Sequence, residues 1–204
     1  MNGITIIGLG PAGAESLTKQ AWDWLNGCRI VLARTKYHPV FSELPASVKV
    51  IGFDEEFNQG EDLAATETMV AERVIQLVRD EGEATFAVPG SPFIGEPLVR
   101  ELLKLVAETD IPVRVIDGMS YLEPVSSALG LDLSPHTIIL DAEELVRLEM
   151  PFFPASLPAL ISNLQGGVDA TELKLTLMNN YPDEYPVTLI HNAGLPEEMI
   201  EKIP

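Results

Sequence analysis

ITIIGLGPAGAESLT, Ile4 to Thr18, runs from a short, mostly apolar stretch into Gly8-Leu9-Gly10-Pro11-Ala12-Gly13 and out through a polar turn. A short apolar run that enters glycines and leaves into a helix is the start of a β-α-β unit. The glycines also satisfy G-x-G-x-x-G, the dinucleotide-binding fingerprint. The following helix is predicted to open at about Ala14, which would leave backbone N–H groups at a helix N-terminus facing an anion or a polar ligand.

The dinucleotide reading makes two further demands. An acidic residue about 20 positions on should grip the ribose, but RIVLARTKYHP offers Arg34 there. An arginine would suit an NADP 2′-phosphate, so NAD and FAD are disfavoured and an NADP-linked oxidoreductase stays open. Small residues should also follow the third glycine so that helix and sheet pack closely. Ala14-Glu15-Ser16-Leu17-Thr18 is instead mixed and largely polar.

Outward from this stretch, apolar runs of strand length recur at 29–33, 48–51, 84–88, 113–116, 137–140, 159–161 and 187–190. Stretches with helical spacing separate most of them. Leu17, Ala21, Trp24 and Cys28 make one helical stripe, and Leu63, Met69, Val70, Val74, Leu77 and Val78 make another. The expected fold class is α/β. The texture changes after IPVRVIDG, which places a boundary at about residue 117, with subdomains over 1–117 and 118–204.

With 46% hydrophobic residues and a mean hydropathy of +0.16, the 204-residue chain has material for a substantial core or two small ones. Its net charge of −18 and pI near 4.4 argue against a nucleic-acid backbone or an anionic membrane surface as partner. Cys28 is the only cysteine, which excludes an internal disulfide and a Cys-based zinc site and fits a reducing compartment. No apolar stretch approaches the roughly 18 residues of a membrane span, and no basic leader precedes the first strand. The expected location is the cytoplasm.

Two later loops repeat the opening layout. ATFAVPGSPFIGEP puts Pro89-Gly90-Ser91-Pro92 after a buried-strand candidate, with a helix predicted to resume near Ile94. VRVIDGMSYLEPVSSALGL puts Gly118 and Ser120 between a strand and a small-residue-rich helix. Three strand ends that open into glycine turns are the material of a crevice at the carboxyl edge of a parallel sheet.

These three segments, in this order and spacing, resemble the tetrapyrrole (corrin/porphyrin) methylase superfamily. Its members carry a strand, G-x-G-P-G and then L-T; a G-D-P loop after a later strand; and a P-G-[IV]-[ST] turn entering an Ala/Ser-rich helix. PALISNLQGGVDATELKLTLMNNYPDEYPVTLIHNAG is similar to the family's second domain. RTKYHPV and VPGSPF look closest to the branch in which this domain is fused ahead of a MazG-type nucleoside triphosphate pyrophosphohydrolase. The last residues, EEMIEKIP, fall about where that branch begins its closing strand, as expected of an excised amino-terminal domain.

The resemblance implies a two-subdomain α/β homodimer that holds S-adenosylmethionine in a cleft between its halves, mostly through backbone groups. Carried over by position, Pro11 would lie beside the cofactor, and Pro89, Gly90 and Ser91 would touch its methionine part, with Ile94 just beyond. Ser120 and Tyr121 match the P-G-[IV]-[ST] turn, Asn163 and Leu164 the end of a second-domain strand, and Ala193 the last turn. Two departures stand out: Ser91 replaces the superfamily's Asp, and Asp117 replaces the Pro before Gly118.

Methyl transfer needs chiefly proximity and alignment, so no compulsory catalytic triad is expected. Asp117, Glu96 and His191 are the nearest candidate bases by loop position, while His38, before Pro39, reads mainly as a turn. No metal is expected, because the three histidines show no ligand spacing. A small-molecule substrate such as a carboxylate-rich tetrapyrrole would want local positive charge, for which Arg29, Arg34 and Lys36 form the most basic patch. The alternative is a non-catalytic ligand-binding or dimerisation module that regulates a fused or partner MazG-type hydrolase, with Ser91 marking lost chemistry.

Overall fold

The computed structural model describes residues 3–60, 62–164 and 170–203. The chain divides into two compact units, Met1–Glu123 and Pro124–Pro204.

In chain order the first unit contains strand β1 (Gly3–Gly8), helix α1 (Lys19–Gly27), β2 (Ile30–Ala33), β3 (Lys49–Gly52), α2 (Asp54–Gln59), α3 (Leu63–Glu81), β4 (Glu83–Val88), α4 (Pro97–Val106) and β5 (Val113–Ile116). Helix α5 (Leu122–Leu129) runs through the division. The five strands form one parallel sheet in the order β3-β2-β4-β1-β5.

Strand alternation sorts the apolar residues into two cores, one on each face of the sheet. Ile4, Ile6, Ala84, Phe86 and Val88 point to one face, where Val70, Val74 and Val78 of α3 and Leu98, Val99 and Leu102 of α4 cover them. Ile7, Val31, Ala87 and Ile116 point to the other, against Ala21 and Leu25 of α1. Each fully buried Val, Leu, Ile or Phe side chain among them contributes roughly 1.5–3 kcal/mol relative to exposure. The predicted stripe of α1 packs as expected, and Trp24 Nε1 donates to Thr85 Oγ1 on β4 at 3.1 Å. On α3 the stripe narrows: Leu63 and Met69 are exposed, and Thr66 and Glu67 are buried in their place.

The sheet order creates the crevice. From β1 the chain crosses β4 to reach β2, and from β4 it crosses β1 to reach β5, so neighbouring strands send their connections in opposite directions. Such a topological switch point, at the carboxyl ends of parallel strands, is where open α/β sheets bind ligands.

The second unit continues with β6 (Ile138–Asp141), α6 (Ala142–Arg147), β7 (Ala159–Ser162), α7 (Ala170–Leu177), β8 (Val187–His191) and β9 (Met199–Ile203). β6 and β7 pair in parallel, and β8 and β9 pair antiparallel. A small core of Ala142, Leu145, Phe153 and Leu173 holds this unit, with Tyr181 packed on it. The apolar runs of the sequence correspond to β1 to β8, and β9, with four of its five residues exposed, lies in the EEMIEKIP stretch where the resemblance implied the start of a closing strand.

Among the described residues no helix is long and apolar enough to cross a membrane. Nor do they contain a group of three or more His, Cys, Asp or Glu placed to hold a metal ion.

Candidate functional site

The loops after β1, β4 and β5 meet at the carboxyl edge of the sheet, and backbone rather than side chains joins them. Gly10 and Gly90 face each other and exchange two hydrogen bonds, Gly10 N–H to Gly90 O at 3.1 Å and Gly90 N–H to Gly10 O at 2.8 Å. Gly90 has φ +64°, a conformation that favours glycine. Gly8 and Gly118 are needed for closeness. A Cβ on Gly8 would lie 2.5 Å from Gly90 O and 2.7 Å from Gly118 Cα. The β1 and β5 loops are tied again by Thr18, whose hydroxyl donates to Asp117 O at 3.2 Å while accepting from Ala21 N–H as the cap of α1.

His38 adds a fourth strut. It is buried, and its Nε2–H donates to Gly10 O at 3.0 Å while its Nδ1 accepts from Val40 N–H at 3.4 Å. These roles describe a neutral imidazole with its proton on Nε2. Burial pushes its pKa below the ordinary histidine value, against the opposing pull of the Gly10 carbonyl. The turn read at His38-Pro39 is a 3₁₀ turn, but the side chain's hold on the glycine loop has no local sequence signal.

The opening stretch departs from its expected shape. Ala14–Ser16 is a single 3₁₀ turn, and α1 begins only at Lys19. The N–H of Gly13 donates to Glu15 Oε1 at 3.0 Å, and that of Ala14 to Glu43 Oε1 at 3.1 Å. The donors expected to face a ligand anion are therefore taken by the chain's own carboxylates. Likewise α4 starts at Pro97 rather than near Ile94.

In the first unit, the candidate residues Pro11, Pro89, Gly90, Ser91 and Ile94 are half-buried on the joined β1 and β4 loops. Ile94 N–H closes a turn onto Ser91 O at 3.2 Å. Ser120 is fully buried; its hydroxyl donates to Glu123 Oε2 at 2.6 Å and accepts from Leu122 N–H at 3.0 Å, so it fixes the start of α5. Tyr121 follows it, half-buried.

In the second unit, Asn163 follows β7 with φ +60° and donates from Nδ2 to Asp141 Oδ2 at 2.7 Å, next to exposed Leu164. Ala193 sits in the turn after β8 between Asn192 and Gly194, both at positive φ. A Cβ on Gly194 would lie 2.9 Å from Pro124 Cβ, so this turn lies close on Pro124.

The family model for Tetrapyrrole (Corrin/Porphyrin) Methylases matches residues 3–204. The chain belongs to the tetrapyrrole methylase family.

Among curated proteins, this tetrapyrrole methylase family chain is 30% identical over 202 residues to "Uncharacterized protein YabN" of Bacillus subtilis (strain 168). The match covers 98% of the chain and 40% of that relative, so the chain spans well under half the relative's length. Among solved structures, uroporphyrin-III-C-methyltransferase from Thermus thermophilus aligns over 100% of the chain and 83% of its own, with TM-score 0.68 and 20% identity. Cobalt precorrin-4 methyltransferase CbiF aligns over 98% and 84%, with TM-score 0.70 and 16% identity. A Thermus thermophilus uroporphyrin-III C-methyl transferase complexed with S-adenyl homocysteine aligns over 98% and 82%, with TM-score 0.65 and 16% identity. Identities this low establish a shared tetrapyrrole methylase fold.

The three candidate bases of this family member differ sharply. Asp117 and His191 are exposed. The Glu96 side chain is 9% exposed, and burial pushes its carboxyl up to about 7, against the pull of Arg34 and with the charge of Glu67 adding to the rise. Of the basic patch, Arg34 faces the largely buried Glu96.

Proposed function

We propose that the chain is an S-adenosylmethionine-dependent methyltransferase domain, its site built on the β1, β4 and β5 loops. The observation that carries this reading is the convergence of Gly8, Gly90 and Gly118 at the switch point. Open space at Gly90 supports it: among the described residues, a Cβ there would meet only Met119 O, at 3.9 Å. The donor set suits a cofactor gripped by backbone and small polar groups. Pro11, Pro89, Gly90, Ser91, Ile94, Ser120 and Tyr121 would hold it, and Asn163, Leu164 and Ala193 are further contacts on the strength of the family resemblance alone.

S-adenosylmethionine supplies an electrophilic methyl group when bound. The chain supplies position. Loops fixed by backbone hydrogen bonds lose little entropy when a ligand arrives, so they orient the reacting partners at low cost. Ser120 sets α5, and the Gly10–Gly90 pair sets the height of the β4 loop. Where the acceptor carries a proton, Glu96 is the group whose raised pKa suits its removal. The small-molecule acceptor, the homodimer and the cytoplasmic setting belong to the same proposal, supported by the family.

Calorimetric titration with S-adenosylmethionine and S-adenosylhomocysteine tests it. Micromolar binding of both is expected, with S-adenosylhomocysteine released in the presence of an acceptor. Absence of binding well above micromolar concentrations would refute the methyltransferase reading.

A second reading has its own observation. Ser91, in place of the family's Asp, leaves the methionine-facing loop without a carboxylate, which favours a ligand-sensing or dimerisation module that regulates a fused or partner MazG-type hydrolase. Binding without turnover is its signature.

A further inference from the structure

Arg34 follows β2, and its backbone N–H donates to Ala87 O at 3.0 Å, which fixes the residue beside the β4 end. Its guanidinium lies over the Phe57 ring, 4.9 Å from the centroid, and its side chain is 37% exposed. It faces Glu96, with Nε 3.9 Å from Oε2, too long for a hydrogen bond. Glu96 Oε2 is buried without a hydrogen-bond partner among the described residues, and none of them accepts a hydrogen bond from the guanidinium. The charges felt at Glu96 are Arg34, from the loop after β2, and buried Glu67, from α3. Arg34 thus faces the largely buried Glu96 without hydrogen-bonding it, and among the described residues its fork of donors is unspent.

An aromatic-stacked, half-exposed guanidinium is pre-organised for bidentate capture of an oxyanion. Competition decides how well it does so. A ligand anion on Arg34 withdraws the charge that keeps Glu96 ionised, and a buried carboxylate deprived of its counter-ion takes a proton from solvent.

We propose that Arg34 is an oxyanion-binding site, for a ligand carboxylate or phosphate, and that Glu96 acts as its proton-coupled competitor: anion binding at Arg34 is accompanied by proton uptake at Glu96. The site stands beside the methyl-transfer reading and does not depend on it. With a net charge of −18 the chain as a whole repels anions, so binding that depends on Arg34 identifies a local site.

The test uses the full chain and two probes, citrate for carboxylates and pyrophosphate for phosphates. Each is titrated calorimetrically at pH 6 and pH 8 in buffers of different ionisation enthalpy. Binding is expected to weaken about three- to tenfold from pH 6 to pH 8, with a fraction of a proton taken up. R34M should lose at least about tenfold and R34K should recover only part, because an ammonium lacks the fork. E96Q should bind more tightly than wild type at pH 8 and lose most of the pH dependence. Preference for citrate supports the site as a carboxylate receptor, and preference for pyrophosphate supports it as a phosphate receptor. If E96Q weakens binding as much as R34M does, Glu96 merely props the arginine and the coupling is overturned. If neither probe binds in an Arg34-dependent way, the site is overturned. Thermal melts confirm that each variant is folded. S-adenosylhomocysteine titrations of the same samples report separately on the methyltransferase reading.

Discussion

Gly8 and Gly118 touch backbone to backbone: a Cβ on Gly118 would stand 2.7 Å from Gly8 Cα and 2.6 Å from Gly8 C. Real Cβ atoms do not approach backbone so closely, and the two loops cannot separate without straining the Thr18–Asp117 hydrogen bond that ties them. Gly118→Ala is therefore expected to destabilise the first unit by about 3 kcal/mol. Urea titration followed by Trp22 and Trp24 fluorescence checks this. A change below about 1 kcal/mol would mean that the loops are less tightly joined than their spacing implies.

Thr18→Val removes the cap of α1 and the tie to Asp117 together. A loss of about 1–2 kcal/mol is expected. Thr18→Ser keeps both hydrogen bonds and should recover most of it.

His38 makes stability depend on pH in a definite direction. Its folded pKa is depressed below the ordinary value of about 6.5. Above that value the imidazole is neutral in both states and its contribution is complete. As pH falls the unfolded chain takes the proton first, so stability declines until the folded pKa is passed. His38→Gln keeps an N–H for Gly10 O but does not titrate. The wild-type minus variant difference in Tm should shrink as pH drops from 7 to 5, and a flat difference would contradict this account.

Glu96 works the other way. Its folded pKa is raised to about 7 from an unfolded value in the ordinary carboxylate range. Stability is full below the unfolded value and is lost as pH rises through about 7. Glu96→Gln removes that loss, so the variant should gain on the order of 2–3 kcal/mol relative to wild type between pH 5 and pH 8. Equal denaturation midpoints for the two proteins at pH 8 would refute the buried charge.

Ser91→Asp restores a carboxylate to the β4 loop. It should favour cationic S-adenosylmethionine over S-adenosylhomocysteine by about tenfold, as expected of one added charge pair near solvent. Competition titration measures the ratio, and an unchanged ratio would place Ser91 away from the sulfonium.

The strands were legible because β1, β2 and β4 are buried on both faces and read as mostly apolar runs, with Thr5 and Thr85 the buried polar exceptions. Their order was not, since nothing local to β4 says that it inserts between β2 and β1. That insertion brings Arg34 to Glu96, and the Arg34–Glu96 contact lay outside the sequence's reach for the same reason. The loops of the candidate site were visible as glycines after strands. How they are held was hidden: the Thr18–Asp117 and His38–Gly10 hydrogen bonds join residues 99 and 28 positions apart. The late start of α1 went unread because the Ala14–Ser16 turn is helical in composition, whereas its carboxylate partner, Glu43, lies on a different segment.

The carboxylates of Glu15 and Glu43 on the Gly13 and Ala14 N–H groups also say what a redesign would require. A fingerprint of this kind is usually treated as an empty socket. Here the socket arrives with its plug inserted, so converting the domain into a nucleotide-cofactor binder means removing both acids and extending α1 back towards Ala14. Any survey that sorts sequences by G-x-G-x-x-G alone will misfile chains built this way.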